Sequence, residues 1–176
     1  TATLTATPAA GFGFIGWYDK DENLLSTGSP YSFVVDKNVT ITAKFDSGGT
    51  PVKTADDLKN MTSDGKYILA NDITLPSDWE PLTFEGGFTG TLNGNGHRIM
   101  KFTKSGAINN DSGADYAYGL FNTIGETGIV KNINFESVNL SFETRDSHGT
   151  SFVAGTVAAY NYGTIENCRV TGTIKA

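Results

Sequence analysis

Gly128–Phe135 reads GIVKNINF, and 35 residues further on Gly163–Val170 reads GTIENCRV. Glycine matches glycine, Val130 matches Ile165, Asn132 matches Asn167, Ile133 matches Cys168 and Phe135 matches Val170. Upstream of each copy stands a further pair, GLF at Gly119–Phe121 and GTV at Gly155–Val157, so the repeat covers a whole strand–turn–strand unit. Weaker copies precede it: GHRIMKF at Gly96–Phe102, with Ile99 and Phe102 in the places of Val130 and Ile133, and YILANDITL at Tyr67–Leu75. A period of about 20 to 50 residues in strand-forming sequence predicts a solenoid, because one coil cannot bury its apolar side chains and must stack on neighbours. In a parallel β-helix equivalent side chains then lie one above another at about 4.8 Å. Val130 over Ile165, Ile133 over Cys168 and Phe135 over Val170 are the expected aliphatic ladders. Asn132 over Asn167 is the expected amide stack at a turn.

The composition agrees. Of 176 residues 21 are glycine, above the average of about 7%, and short alternating apolar runs dominate. Strands joined by tight turns are expected, and one short helix at Thr54–Met61 (TADDLKNM), where Thr54 can cap the N-terminus and Leu58 and Met61 share a face. Asp46–Pro51 (DSGGTP) is a flexible break between two segments. Before it, TATLTATP, FGFIGWYD, YSFVVD and VTITAKF alternate apolar with polar residues, as a half-buried antiparallel sheet does. The expected fold class is therefore all-β: a small antiparallel, β-grasp-like repeat module over residues 1–46, followed over residues 51–176 by a parallel β-helix, right-handed by the crossover rule. So short a first module leads us to expect a further strand before Thr1. The terminal strand text TGTIKA, without a polar cap, leads us to expect further coils and a longer polypeptide.

Two resemblances follow from these residues. GFGFIGWYDKDENLLSTGSPYSFVV (Gly11–Val35) with VTITAKF (Val39–Phe45) resembles the later two-thirds of a divergent internalin-type B repeat. AGTVAAYNYGTIENCRVTG (Ala154–Gly172) resembles the GLUG repeat of secreted bacterial surface proteins, YGLFNTIGETGIVKNINFESV (Tyr118–Val138) follows it more loosely, and FTGTLNGNGHRIMKF (Phe88–Phe102) is similar to the coil that opens such regions. The resemblances imply an extracellular, cell-surface bacterial protein in which such modules serve adhesion or a stalk. They carry no catalytic residues.

Charge narrows the partners. A net charge of −6, with 13 basic against 19 acidic side chains, offers no basic stripe for a phosphate backbone, so no nucleic acid is expected. No run approaches the roughly 18 apolar residues of a membrane helix, and no membrane insertion is expected. One cysteine, Cys168, and two histidines, His97 and His148, leave little for a cysteine- or histidine-built metal centre. Hard oxygen ligands suit calcium. They occur as Asp19, Asp21 and Asn23, where a solvated turn is the plainer reading, and as Asn109, Asn110, Asp111 and Asp115 in the expected loop Lys104–Asp115. Asp111 and Asp115 are the candidate metal ligands, and no other cofactor is expected.

Glycoside hydrolysis needs two carboxylates across a groove. Asp78, Glu80 and Glu85, or Glu143 and Asp146 beside Arg145, do not recur at ladder positions, so no enzyme is expected. An accessory or substrate-binding region of a secreted glycan-degrading or proteolytic enzyme is the alternative. Trp17, Tyr18 and Tyr31 are expected to pack the small module. Tyr116, Tyr118, Tyr160 and Tyr162, with Arg145 and His148 in the expected loop Phe142–Ser151, are the candidate contact residues for a glycan or protein partner.

Overall fold

Thr50–Ala176 builds its walls from the repeated pattern, and Thr1–Gly49 stands as a separate unit. The computed structural model describes residues 1–9, 12–46, 48–108, 116–144 and 152–175. The described residues of the first unit form β1 (Ala2–Leu4), β2 (Phe14–Tyr18), β3 (Leu24–Ser26), β4 (Tyr31–Phe33) and β5 (Thr42–Phe45). β1 pairs antiparallel with β4, and β2 lies between β3 and β5, also antiparallel. Trp17 is buried there, its Nε1–H donating to Gly28 O at 3.0 Å and its ring edge-on to Phe14 at 5.2 Å.

The second unit opens with β6 (Thr50–Val52), α1 (Ala55–Lys59), β7 (Lys66–Leu69), β8 (Ile73–Thr74), β9 (Thr91–Asn93), β10 (Arg98–Met100) and β11 (Thr103–Ile108). It continues through β12 (Tyr116–Tyr118), β13 (Phe121–Ile124), β14 (Ile129–Lys131), β15 (Asn134–Thr144), β16 (Phe152–Ala154), β17 (Ala158–Asn161), β18 (Thr164–Glu166) and β19 (Arg169–Lys175). Among the described residues every strand pairing in this unit is parallel. One sheet is ordered β18-β14-β9-β7-β6, and a second is ordered β11-β15-β10-β8 with β19 also pairing with β15. β13 and β17 form a third wall, which Leu82 and Phe88 extend by bridging to Phe121 and Ile124.

Register explains why the core is continuous. Tyr67, Leu92, Val130 and Ile165 are successive partners in the first sheet. Ile73, Ile99, Phe135 and Val170 are successive partners in the second. Tyr67, Leu92, Val130, Ile73, Ile99 and Phe135 are buried with Phe88, Phe102, Phe121 and Leu140, each such side chain contributing roughly 1.5–3 kcal/mol of apolar burial. The asparagine stack is longer than the repeat predicts: Asn167 Nδ2 donates to Asn132 Oδ1 at 2.8 Å, and Asn132 Nδ2 donates to Asn93 Oδ1 at 3.0 Å. Asn132 and Asn167 both take positive φ (58° and 49°), which asparagine tolerates better than most residues. Glycine precedes the first-sheet strands because layers approach closely there. A Cβ on Gly128 would lie 2.1 Å from Phe88 O, and one on Gly163 would lie 2.3 Å from Gly128 O.

Three expectations change. Ile99 pairs with Phe135, not with Val130, whose partner in that layer is Leu92. The longer turn Asn93–His97 displaces the simple alignment. The segments Lys104–Asp115 and Phe142–Ser151 are not loops throughout, since β11 runs to Ile108 and β15 to Thr144, paired in parallel along six residues. Their alternation of polar and apolar residues had been masked by glycine and serine, but Leu140 and Phe142 are inward and buried.

The two ends of the second unit differ. At one end α1 is capped by Thr54, with Asp57 N–H donating to Thr54 Oγ1 (3.1 Å) and Thr54 N–H donating to Asp57 Oδ2 (2.9 Å), a reciprocal capping box. Leu58 and Met61 are buried there, and Val52 on the outermost strand is only 1% exposed. At the other end all of β18 and β19 is exposed.

Candidate functional site

The four tyrosines fall into different environments. Tyr118, on β12, is fully buried: its hydroxyl donates to Trp79 O at 2.6 Å, and its ring stacks on Phe102 at 5.5 Å. Lys104 Nζ sits 5.3 Å from the ring centroid and is itself paired with Glu80. Burial pushes the Tyr118 phenol well above its ordinary pKa, with the Glu80 charge adding to it. Tyr118 is thus a buried core residue, although the sequence offered it as a candidate contact residue. Tyr116, two residues earlier on the same face, is partly buried, parallel to Tyr118 at 6.4 Å and stacked on Phe152 at 5.7 Å. Parallel pairing of β12 with β16 sets Tyr116 beside Phe152 and Tyr118 beside Ala154. Phe142 closes the cluster, 4.6 Å from Phe152.

Tyr160 and Tyr162 remain as surface aromatics. Tyr160 lies on β17 opposite Thr123 and is half-buried, whereas Tyr162 is 68% exposed, with its backbone N–H donating to Ile124 O at 2.9 Å. Arg145 and His148 lie outside the described residues, as do Asn109, Asn110, Asp111 and Asp115.

Asp19 organises a turn. Its Oδ1 accepts from Asp21 N–H (2.8 Å) and Asn23 N–H (2.9 Å), and its Oδ2 accepts from Asn23 Nδ2 (3.0 Å). The bonds from Asn23, first among the causes, lower the Asp19 pKa. Among the described residues no three His, Cys, Asp or Glu side chains gather as a group that could hold a metal ion. Cys168 is half-buried against the core, and burial raises its thiol pKa.

A charged cluster escaped the sequence reading. Arg98 on β10 donates to Asp72 Oδ2 through Nε (2.9 Å) and Nη2 (2.6 Å), and through Nη1 to Glu136 Oε2 on β15 (3.1 Å). His97 Nδ1 lies 3.4 Å from Asp72 Oδ1. The hydrogen bond from Arg98 holds the Asp72 carboxyl below the usual carboxylate range. The signal was available: Asp72 precedes Ile73, Arg98 precedes Ile99 and Glu136 follows Phe135, so aligning the aliphatic ladder brings the three together.

The described geometry defines an all-β protein in which a small antiparallel unit is joined to a unit of mainly parallel multi-strand sheets. Residues 1–49 match the family model described as a divergent InlB B-repeat domain. The chain is 33% identical over 124 residues, 65% of its length, to a protein of Evansella cellulosilytica named putative Gly-rich membrane protein. It is 28% identical over 172 residues, 85% of its length, to halomucin of Haloquadratum walsbyi. It spans 13% of the first relative and 2% of the second. No solved structure matches it. Among the described residues no helix is long and apolar enough to cross a membrane.

Proposed function

We propose that the chain is a non-catalytic, extracellular module of a cell-surface protein, in which a B-repeat unit is followed by a right-handed parallel β-helix of GLUG-type coils. Its role is adhesion or a stiff stalk. The observation that carries the reading is the in-register parallel ladder Tyr67, Leu92, Val130 and Ile165, which supports a second unit built as a stack of layers on one core. Such a stack resists bending because each layer is hydrogen-bonded to the next along its walls. The match of residues 1–49 to the B-repeat model, and relatives whose names refer to a membrane protein and a mucin, support a surface location.

The contact residues on this reading are Tyr162 and Tyr160, whose rings offer a flat apolar face with a polar tip to a sugar or a protein. Arg145 and His148 lie in the segment between β15 and β16 and are the polar candidates of the same reading. Calcium at Asp111 and Asp115 remains part of the proposal and is read by chelation. The test is a screen of the chain against a glycan array, mucin and extracellular-matrix proteins, with and without EDTA, while polysaccharide length is followed. Binding that Tyr162→Ala weakens, with no polysaccharide shortened, is the expected result. Shortened polysaccharide would overturn the non-catalytic reading.

A further inference from the structure

Asparagine stands two residues before serine or threonine, with no proline between, at Asn38-Val39-Thr40, Asn60-Met61-Thr62, Asn110-Asp111-Ser112 and Asn139-Leu140-Ser141. This is the acceptor pattern for N-linked glycan in secreted proteins, and it works from a surface loop. The asparagine amide and the following hydroxyl must both be free for a transferase to grip, because an amide nitrogen shares its lone pair with its carbonyl and reacts only when held closely. The pattern alone therefore does not choose a site.

The fold separates the copies. Asn60 is the C-cap of α1, with its backbone N–H on Asp56 O and Leu58 O. Met61 beside it is buried, Thr62 N–H donates to the Tyr67 hydroxyl at 2.7 Å, and Thr62 Oγ1 donates to Asp64 Oδ1 at 3.2 Å. Asn139 lies within β15, paired with Thr103 on one side and Thr173 on the other, and its N–H donates to Phe102 O at 2.9 Å. Leu140, the middle residue of that copy, is fully buried. Asn110 lies outside the described residues. Asn38 differs from Asn60 and Asn139 in every respect. Residues 34–41 connect β4 to β5 without strand pairing, and Asn38, Val39 and Thr40 are all exposed. Among the described residues neither the Asn38 amide nor the Thr40 hydroxyl has a hydrogen-bond partner. The same connection carries Val34, Val35 and Val39, which are 74%, 54% and 47% exposed.

We propose that Asn38 is an acceptor for N-linked oligosaccharide. The donor is an oligosaccharide on a polyprenyl phosphate or diphosphate. Asn38 Nδ2 forms a bond to the anomeric carbon, the bond from that carbon to the phosphate oxygen breaks, the lipid phosphate leaves with the electron pair, and one amide proton passes to a base of the transferase. A bulky, solubilising chain at this position shields the three valines beside it from water and from other proteins. The inference rests on the extracellular reading above, since the transfer takes place on exported chains.

The test takes the protein from the cells that make it. Brief protease treatment of intact cells reports its location, and mass spectrometry reads the peptide that carries Asn38. The expected result is a saccharide increment on Asn38 that is lost in Asn38→Gln and in Thr40→Ala and kept in Thr40→Ser. Both side chains are exposed and unbonded, so these variants keep the fold. An unmodified Asn38 in chain recovered from the cell surface would overturn this inference and leave the surface reading standing. Chain that intact cells shelter from protease would overturn the surface reading and this inference with it. An increment on Asn60 or Asn139 with none on Asn38, or one on Asn38 that survives Thr40→Ala, would overturn the assignment of this site.

Discussion

Asn132 combines a backbone role with a side-chain role. It holds positive φ at the corner between β14 and β15, and its amide links the layers above and below. Asn132→Leu loses both amide bonds and must place a branched side chain in the left-handed region, which should cost about 2–4 kcal/mol. Asn132→Gly keeps the corner and loses only the ladder, and urea denaturation should place it between the two. Gly128→Ala is expected to cost about 1–3 kcal/mol, because its Cβ would lie 2.1 Å from Phe88 O. Asp72 gives a pH signature. Its folded pKa is depressed by Arg98, so its contribution is present above the unfolded value of about 3.9 and is lost as pH falls through the lower folded value. Between about pH 5 and pH 2, Asp72→Asn should therefore lose less of its denaturation midpoint than the parent does. The Asn132–Asn167 bond was legible in the repeat because both copies share one spacing. Asp72, Arg98 and Glu136 were not, because the charges flank the ladder at different offsets and meet only after the turns are aligned.

Elements show the same division between what alternation reveals and what it hides. α1 was legible as Thr54 followed by Asp57 and Leu58, since a capping box is written in local sequence. β11 and the far half of β15 were not, because Ser105, Gly106 and Ser141 dilute the apolar signal and the pairing that holds them is supplied by another layer. Tyr118 was grouped with the candidate contact residues for a related reason: the sequence does not show which way a tyrosine side chain faces, and only the Trp79 carbonyl and the Phe102 ring show that this one faces inward. The two ends of the second unit should respond unequally to mutation. Leu58→Ala removes a fully buried side chain from the closed end and should cost about 2–5 kcal/mol. Ile174→Ser in the exposed layer should cost under about 1 kcal/mol. Thermal or urea unfolding of the two variants reads the difference.

Across the whole molecule, the small antiparallel unit and the layered unit solve the burial problem in different ways. The first closes a few strands around Trp17 and Phe14, while the second shares one core among its parallel sheets. Repetition made the second arrangement legible, although the longer turn at Asn93–His97 hid the register of the earlier layers. Contact chemistry was less legible, because an exposed tyrosine and a buried one look alike in sequence. The claim that joins these observations is the parallel, in-register stacking of Gly128–Phe135 beneath Gly163–Val170. Its most direct measurement is a set of methyl and side-chain amide nuclear Overhauser effects on the labelled chain. The account predicts effects between Val130 and Ile165, between Phe135 and Val170 and between the amides of Asn132 and Asn167. Effects from Val130 to residues one or more positions away from Ile165, with none to Ile165 itself, would contradict it.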